Sequence, residues 1–254
     1  MNRERFFSMD SLSNYETYEK FLERIFSFQS PNFYFGVERL YPSNSVNSKV
    51  ESDGNFKRFV GDTVVFNLDG LQKKFIHEHF IEPLYRVAPN CFAEKLDESM
   101  LHMTLHDLNS SEKEDEKLMV DMLETEIMLY EIINDIGIKS DSIAMKITCV
   151  FNMVNTSLVL GLVPKTEEDY HKLMKLYQMV EYVHKLPYPF TPHITLAYYS
   201  REGISGEDIK KLEDLINELN KESFEISLST DMLFYQKFVS MNEYFNIMGF
   251  VKKN

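Results

Sequence analysis

The sequence has little cysteine and no long apolar run. Its two cysteines, Cys91 and Cys149, form neither a CxxC pair nor a His/Cys spacing typical of a zinc site. This pattern favours a reduced, cytosolic setting and gives no support for a metal or another cofactor. No apolar run approaches the roughly 20 residues of a membrane span, and the first residues lack the apolar stretch of a secretory signal. We therefore expect a cytoplasmic protein without a membrane partner.

Positive charge is also scarce. Lysine and arginine total 27 against 40 aspartates and glutamates, which gives a formal net charge of −13 at pH 7. Because the acidic residues are spread along the chain, the protein presents a negative field that disfavours binding to long nucleic acid. A local pocket of donors can still hold a phosphate in an acidic protein. The charge therefore favours a small ligand over a polymeric one.

The sequence does contain an alternation of strand and helix patterns that is interrupted by hairpins. Strands are predicted at 63–68, 100–106, 143–151, 157–163, 193–199, 224–239 and 244–251. Helices are predicted at 15–28 and 71–86, from a cap at Ser110 or Ser111 to Gly137, after a cap at Thr166, and across 209–219. The hairpins favour an α+β fold over one all-parallel sheet. Residues 1–60 are predicted to be an extension packed on a main domain of residues 61–254.

Two of the predicted strands carry the same pattern, His-x-Thr-Leu. It begins at His102 in one strand and at His193 in the other. Side chains two apart share a face of a strand, so Thr104 and Thr195 stand beside the histidines while the apolar neighbours point into the core. A single His-x-Thr is usually structural, but the composition predicts roughly 0.03 copies of the four-residue pattern by chance. Two copies in matching strands therefore indicate a shared site.

Such a site suits cleavage of a phosphoester without a metal. One neutral imidazole can take a proton from water or a ribose hydroxyl while the other, protonated, gives one to the departing oxygen. The two threonine hydroxyls can donate hydrogen bonds to the non-bridging phosphate oxygens. Residue types and spacing thus favour general acid–base catalysis at one groove.

The segments 101–105 and 190–196 closely resemble the paired His-x-Thr/Ser signatures of the 2H phosphoesterase superfamily, which includes the LigT-like RNA 2′,3′-cyclic phosphodiesterases. The spacing between the two motifs is also similar. The resemblance spans about residues 60–251 and implies two pseudo-symmetric lobes, each an antiparallel sheet with flanking helices, around a central groove. Residues 52–65 further resemble a poorly characterised bacterial and fungal subgroup of unknown function.

Carried over motif by motif, the resemblance implies catalysis by His102 and His193 and phosphate binding by Thr104 and Thr195. All four motif residues are present. Which histidine acts as the acid and which as the base depends on the reaction direction and the substrate pose. The sequence leaves that assignment open.

Four more residues are candidates for substrate binding. Tyr198 and Tyr199 follow the second motif and can stack on a nucleobase, although ordinary sheet packing explains each of them equally well. Tyr235 and Lys237 alternate onto one face of a late strand. We predict that this face meets the groove, where Lys237 would help to neutralise a phosphate; an exposed lysine is the simpler alternative.

Three further histidines have structural explanations. His106 lies two residues beyond Thr104, so it either edges the groove or ends the strand at the surface. His77 and His79 could suggest a metal site, but residues two apart do not share a face of the predicted helix and so do not converge on one ion. We therefore predict no metal site.

The leading hypothesis is hydrolysis of a cyclic or 2′,5′- or 3′,5′-linked phosphodiester in a small nucleotide or RNA end, by a protein expected to be a monomer. One alternative is a non-catalytic protein that binds or sequesters a nucleotide, although binding alone does not require two histidines. Another is an RNA 2′,5′-ligase-like activity, the reverse of phosphodiester opening; the scarcity of basic residues disfavours it for long substrates.

Overall fold

A computed structural model describes residues 16–30 and 39–251. Its eight strands form one antiparallel sheet in the order β6-β3-β4-β5-β2-β1-β7-β8. The strands are β1 Val60–Asn67, β2 His102–Ser111, β3 Ser142–Met153, β4 Ser157–Pro164, β5 His193–Tyr198, β6 Glu225–Ser229, β7 Leu233–Ser240 and β8 Glu243–Gly249. The α-helices are α1 Tyr18–Ser27, α2 Gly70–Ile76, α3 Glu82–Val87, α4 Glu116–Ile136, α5 Glu167–Glu181 and α6 Gly206–Leu219. The predicted α+β class is confirmed.

Local chemistry explains where the helices begin and end. The Asp69 side chain accepts a hydrogen bond from the Gln72 backbone amide, and the Gln72 side chain accepts one from the Asp69 backbone amide. This capping box starts α2. Thr166 caps α5 as predicted, by accepting from the Asp169 amide. Gly137 ends α4 in the left-handed conformation with φ 64°, which glycine adopts without steric penalty.

The sheet consists of two halves of four strands each. One half is β8-β7-β1-β2 and the other is β6-β3-β4-β5, so the two motif strands are the innermost strand of each half. Their register consists of one antiparallel residue pair, Met103 opposite Ile194. The two predicted lobes therefore share one continuous sheet that is joined at the motifs.

One face of this sheet is covered and forms the main hydrophobic core. Met103, Leu105, Ile194 and Leu196, which alternate with the motif residues, are fully buried there. Helices α4 and α5 contact β2, and the helical turn at His77–Ile81 contacts β5. Burying these apolar side chains fixes which face each motif presents, because a one-residue slip would turn the histidines into the core.

The described N-terminal residues also pack on this domain. Phe21 and Ile25 of α1 are buried in the main core, and the Tyr18 hydroxyl donates to the Pro164 carbonyl at 2.9 Å. Tyr15, where the predicted helix starts, lies outside the described residues. The domain boundary at residue 60 stays a prediction.

Three predicted elements differ from the observed ones. Ser110 and Ser111 belong to β2, and Asp115 caps α4 instead. The predicted strand 224–239 is divided by a 3₁₀ turn at Thr230–Met232. The helix predicted at 71–86 continues from α2 to α3 through a π-helical turn. Within the described residues, no helix is both long enough and apolar enough to cross a membrane.

Candidate active site

The single residue pair between the motif strands brings the two motifs together. In an antiparallel register that sets Met103 opposite Ile194, His102 lies across from Thr195 and His193 lies across from Thr104. Side chains directly opposite share a face, so all four motif residues point away from the core. Each of them is half-buried. The register therefore brings the two motif histidines and the two motif threonines to one face of the sheet, at neighbouring positions.

Both imidazoles are held in the same way. His102 Nδ1 lies 2.7 Å from the Met100 carbonyl oxygen, and His193 Nδ1 lies 2.7 Å from the Thr191 carbonyl oxygen. Because a carbonyl only accepts, Nδ1 must carry the hydrogen in each ring. The Nε2 atom of the neutral ring is then the basic one. Each carbonyl thus fixes both the ring orientation and the tautomer.

A β-bulge follows each motif at the same place. In β2 the register against β1 shifts so that Val65 pairs with Thr104 and Val64 with His106. In β5 the register against β4 shifts between Thr195 and Ala197. An extra residue in a strand reverses the alternation of faces beyond it. The groove side therefore gains the fifth residue after each histidine, Asp107 in β2 and Tyr198 in β5.

The site keeps both histidines neutral. Burial lowers the pKa of His102 from 6.5 to about 4, although the Met100 carbonyl and Asp107 oppose the shift. Burial also lowers the pKa of His193, against the Thr191 carbonyl and Asp107. The like charge of a protonated His193 further lowers the pKa of His102.

A lysine approaches each histidine. Lys73 lowers the pKa of His102, and its ammonium donates to the Ser99 carbonyl. Lys49 lowers the pKa of His193, and its Nζ lies 5.3 Å from the Phe59 ring centroid and 5.4 Å from that of Tyr198. The groove thus has a cation near each imidazole, inside a protein whose overall charge is negative.

The four predicted substrate-binding residues divide between the two faces of the sheet. Tyr198 is half-buried on the groove side and meets the Phe56 ring edge-on at 5.6 Å. Tyr199 is fully buried, and its hydroxyl donates to Asn152 at 3.0 Å. Consecutive strand residues point to opposite faces, and the bulge decides that Tyr198, and not Tyr199, faces the groove.

The prediction that Tyr235 and Lys237 face the groove is corrected by the structure. Both lie on one face as predicted, but that face is covered by α4. The buried Tyr235 hydroxyl donates to Asp62 Oδ2 at 2.8 Å, and Lys237 Nζ donates to Glu126 Oε2 at 2.6 Å. Their side chains are thus committed to structural contacts on the opposite side of the sheet from the motifs.

The remaining histidines lie outside the groove. His106 was expected at the groove edge or the surface, but the bulge turns it into the core, where its ring lies 5.1 Å from that of Tyr177. His77 lies near Glu82 and Glu98, whereas His79 lies 3.2 Å from Glu222. In the described part of the chain, no three His, Cys, Asp or Glu side chains converge as a metal site requires.

Several groove residues were missed by the sequence reasoning. Asp107 was hidden by the bulge, and Lys49 and Lys73 come from segments without a recognisable motif. Tyr244, whose ring centroid lies 5.0 Å from that of His102, belongs to the edge strand β8. The sequence alone shows that Asp107 and Tyr198 each lie five residues after a motif histidine. Only the bulges reveal that this shared offset places both side chains on the groove side.

Comparisons with known proteins reveal the fold more than the function. No family model and no curated protein matches the chain. Among solved structures, a conserved protein of unknown function, ATU0111 from Agrobacterium tumefaciens, is 14% identical with a TM-score of 0.65 over 87% of this chain and 99% of its own. TT0787 of Thermus thermophilus is 13% identical, with a TM-score of 0.48 over 74% of this chain and 94% of its own. E. coli LigT complexed with 3′-AMP is 14% identical, with a TM-score of 0.43 over 76% and 95%. The likeness to ATU0111 shows a shared fold, and in its α+β architecture and its two His-x-Thr strands the chain resembles the 2H phosphoesterases.

Proposed function

We propose that the protein is a metal-independent phosphodiesterase of the 2H type. Its substrate would be a cyclic or a 2′,5′- or 3′,5′-linked phosphodiester in a small nucleotide or RNA end. The observation that carries the proposal is the register of β2 and β5, which sets each motif histidine across from the threonine of the other motif. A phosphate between the strands would meet an imidazole and a hydroxyl from each half of the sheet.

The chemistry requires one proton acceptor and one proton donor. Nε2 of one neutral imidazole takes a proton from the attacking water while the water oxygen bonds to phosphorus. The other imidazole, protonated, gives its Nε2 proton to the leaving oxygen as the phosphorus–oxygen bond breaks. Such general acid–base catalysis contributes about 10²–10⁴-fold. Thr104 and Thr195 would donate to the non-bridging oxygens and stabilise their charge.

The lowered pKa values of both histidines place a condition on this mechanism. In the free protein both imidazoles are largely neutral at pH 7. A neutral imidazole can act as the base, but few molecules carry the protonated imidazole that the acid step requires. A bound phosphodiester carries a negative charge, which raises the pKa of a nearby imidazole. The substrate itself would therefore promote protonation of the second histidine.

The charge distribution supports a small substrate. The net charge of −13 repels long nucleic acid, whereas Lys49 and Lys73 lie close to the histidines. Cations in a half-buried groove can hold one or two phosphates, because salt screens the repulsion between these phosphates and the distant acidic surface. We expect a small nucleotide or a short oligonucleotide as ligand, and a cytoplasmic monomer.

The test is a substrate panel in excess EDTA. Purified protein is incubated with 2′,3′-cyclic nucleotides, cyclic dinucleotides and 2′,5′-linked oligoadenylate. We expect turnover of at least one, and loss of about 10²-fold or more in His102→Ala and in His193→Ala. His171→Ala is the control, because His171 is exposed on α5. No turnover of any substrate, or turnover that survives both substitutions, would contradict the proposal.

A nucleotide-binding protein without catalysis is the second candidate. The neutral state of both imidazoles in the free protein favours it, because no acid is ready before a ligand binds. Calorimetry with a nucleotide that is bound tightly and recovered unchanged would support this function. Recovery of a hydrolysed product would support the phosphodiesterase.

A further inference from the structure

The two motif histidines are oriented by carbonyl groups that the chain holds in different ways. The carbonyl that accepts from His102 belongs to the 3₁₀ turn Glu98–Met100, which a side-chain cap and a backbone hydrogen bond stabilise. The carbonyl that accepts from His193 is that of Thr191, within residues 185–192, which form neither helix nor strand. The position of this second carbonyl therefore depends on contacts with other parts of the chain.

Arg24, from the N-terminal helix α1, binds this irregular segment at two points. Its Nη2 donates to the Phe190 carbonyl at 2.8 Å, and its Nη1 donates to Thr191 Oγ1 at 3.1 Å. These bonds hold residue 191 by its preceding peptide group and by its side chain. On the other side, the Pro192 carbonyl accepts from the Leu162 amide at 3.0 Å. The Thr191 carbonyl lies between these contacts and is held from both directions.

Glu16 fixes the orientation of the Arg24 guanidinium. Arg24 Nε lies 3.0 and 3.1 Å from the two carboxylate oxygens of Glu16, and Nη2 donates to the same carboxylate. The guanidinium carbon lies 5.3 Å from the centroid of the buried Phe21 ring, and the Arg24 side chain is only 22% exposed. A planar fork held in this way makes several bonds at once, which the single ammonium of a lysine does not reproduce.

A basic side chain occupies the corresponding place before the other motif. Lys73 of α2 donates to the Ser99 carbonyl, one residue before the carbonyl that accepts from His102. Arg24 donates to the Phe190 carbonyl, which likewise precedes the carbonyl that faces a motif imidazole. Each half of the sheet thus has a cation from a separate helix at the same point of the chain. This correspondence links Arg24 to the histidine and not only to the packing of α1.

We propose that Arg24 is a positioning residue for His193, which fixes the Thr191 carbonyl and through it the tautomer and orientation of the ring. The proposal rests on the proposed function for the role of His193 in proton transfer. A neutral imidazole can carry its hydrogen on either nitrogen, and the acceptor at Nδ1 decides which. A displaced carbonyl would allow the hydrogen to move to Nε2, where it blocks the lone pair that accepts a proton. Helix α1 is then a component of the site.

The tautomers are measured by NMR from the imidazole nitrogen chemical shifts of the free protein at about pH 8, without substrate. In the wild type we expect the hydrogen on Nδ1 in both motif histidines. Arg24→Gln should convert His193 to a mixture of tautomers and leave His102 unchanged. Arg24→Lys keeps the charge without the fork and should resemble Arg24→Gln. Lys20→Gln, which removes a positive charge from an exposed position one turn earlier on α1, is the control and should match the wild type.

Kinetics give an independent measurement once a phosphodiester substrate is known. Arg24→Gln should lower kcat about tenfold or more with little change in KM, because the substitution disturbs the ring and not the contacts with phosphate. Thr191→Val removes the Nη1 contact and retains the pair of Arg24 with Glu16. It should give a smaller effect in the same direction, and it replaces Arg24→Gln if that variant does not fold.

Four results would overturn the positioning role. A folded Arg24→Gln variant with wild-type tautomers would do so, as would a wild-type His193 with its hydrogen on Nε2. Equal changes in His102 and His193 would indicate general loosening of the fold. Arg24→Lys that matches the wild type would assign the effect to charge and not to the fork. An altered His193 tautomer in a protein that hydrolyses no diester would uphold the positioning role while contradicting the phosphodiesterase.

Discussion

Met103 and Ile194 form the residue pair through which the two halves of the sheet meet. Both side chains are fully buried in the hydrophobic core, and this packing holds the pair in place. The residues on either side of the pair, two histidines and two threonines, are turned to the opposite face. The contact that joins the halves is thus also the contact that assembles the candidate site.

The pH dependence of activity should differ between the free protein and its complex. Both histidines have lowered pKa values in the free protein, so the alkaline limb of kcat/KM, which requires a protonated imidazole, should lie below pH 6.5. The bound phosphate raises that pKa, so the alkaline limb of kcat should lie at higher pH. Steady-state kinetics across pH 4–9 measures both. Coincident limbs would show that the substrate does not alter the protonation of the pair.

Asp107→Asn should shift the same limb. Asp107 raises the pKa of both His102 and His193, so its neutralisation lowers both values. We expect the alkaline limb of kcat/KM to move to lower pH, with activity at pH 7 falling several-fold. Asp121→Asn, on α4 and paired with Lys117, is the matched control. An unchanged profile would place Asp107 outside the electrostatics of the site.

Tyr235→Phe should reduce stability and leave substrate binding unchanged. The Tyr235 hydroxyl donates to the buried Asp62 carboxylate, and its removal leaves an acceptor with fewer partners. We expect the free energy of unfolding in urea to fall by about 1–3 kcal/mol. KM for the active substrate should match the wild type. A raised KM with unchanged stability would return Tyr235 to the binding site.

Gly161→Ala tests how closely the strand beside His193 is packed. Gly161 pairs with His193, and a Cβ there would lie 2.5 Å from Thr148 Oγ1 and 3.0 Å from the Phe151 ring. We expect about 1–3 kcal/mol of destabilisation from overpacking and a lower kcat, because the strand that supports His193 must shift. Gly70→Ala, with no neighbour within 4 Å, is the control and should be neutral or stabilising. Equal stability of the two variants would contradict the close packing.

Much of the fold could be predicted because its signals are local. Period-two alternation located the motif strands, and the side-chain cap at Thr166 and the glycine at 137 marked helix ends. The placement of Tyr235 and Lys237 on one shared face was also local information. Whether this face meets the groove or the core depends on where α4 packs. A strand pattern does not contain that information.

The errors at the site come from non-local structure, namely strand pairing and tertiary packing. A bulge belongs to a pair of strands, so the bulges after Thr104 and Thr195 cannot be recognised in either strand alone. They turned His106 into the core and brought Asp107 to the groove. Lys49 and Lys73 reach the site by tertiary packing, which residue patterns do not predict.

The central claim is that His102 and His193 form one catalytic unit. It is tested most directly by single-turnover hydrolysis of the best phosphodiester in EDTA by the wild type, His102→Ala, His193→Ala and the double variant, each checked for an unchanged melting temperature. Groups that act as a unit are strongly non-additive, so we predict that each single variant loses about 10²-fold or more and that the double variant loses little beyond either. Losses that multiply in the double variant, or one single variant with wild-type activity, would contradict the account.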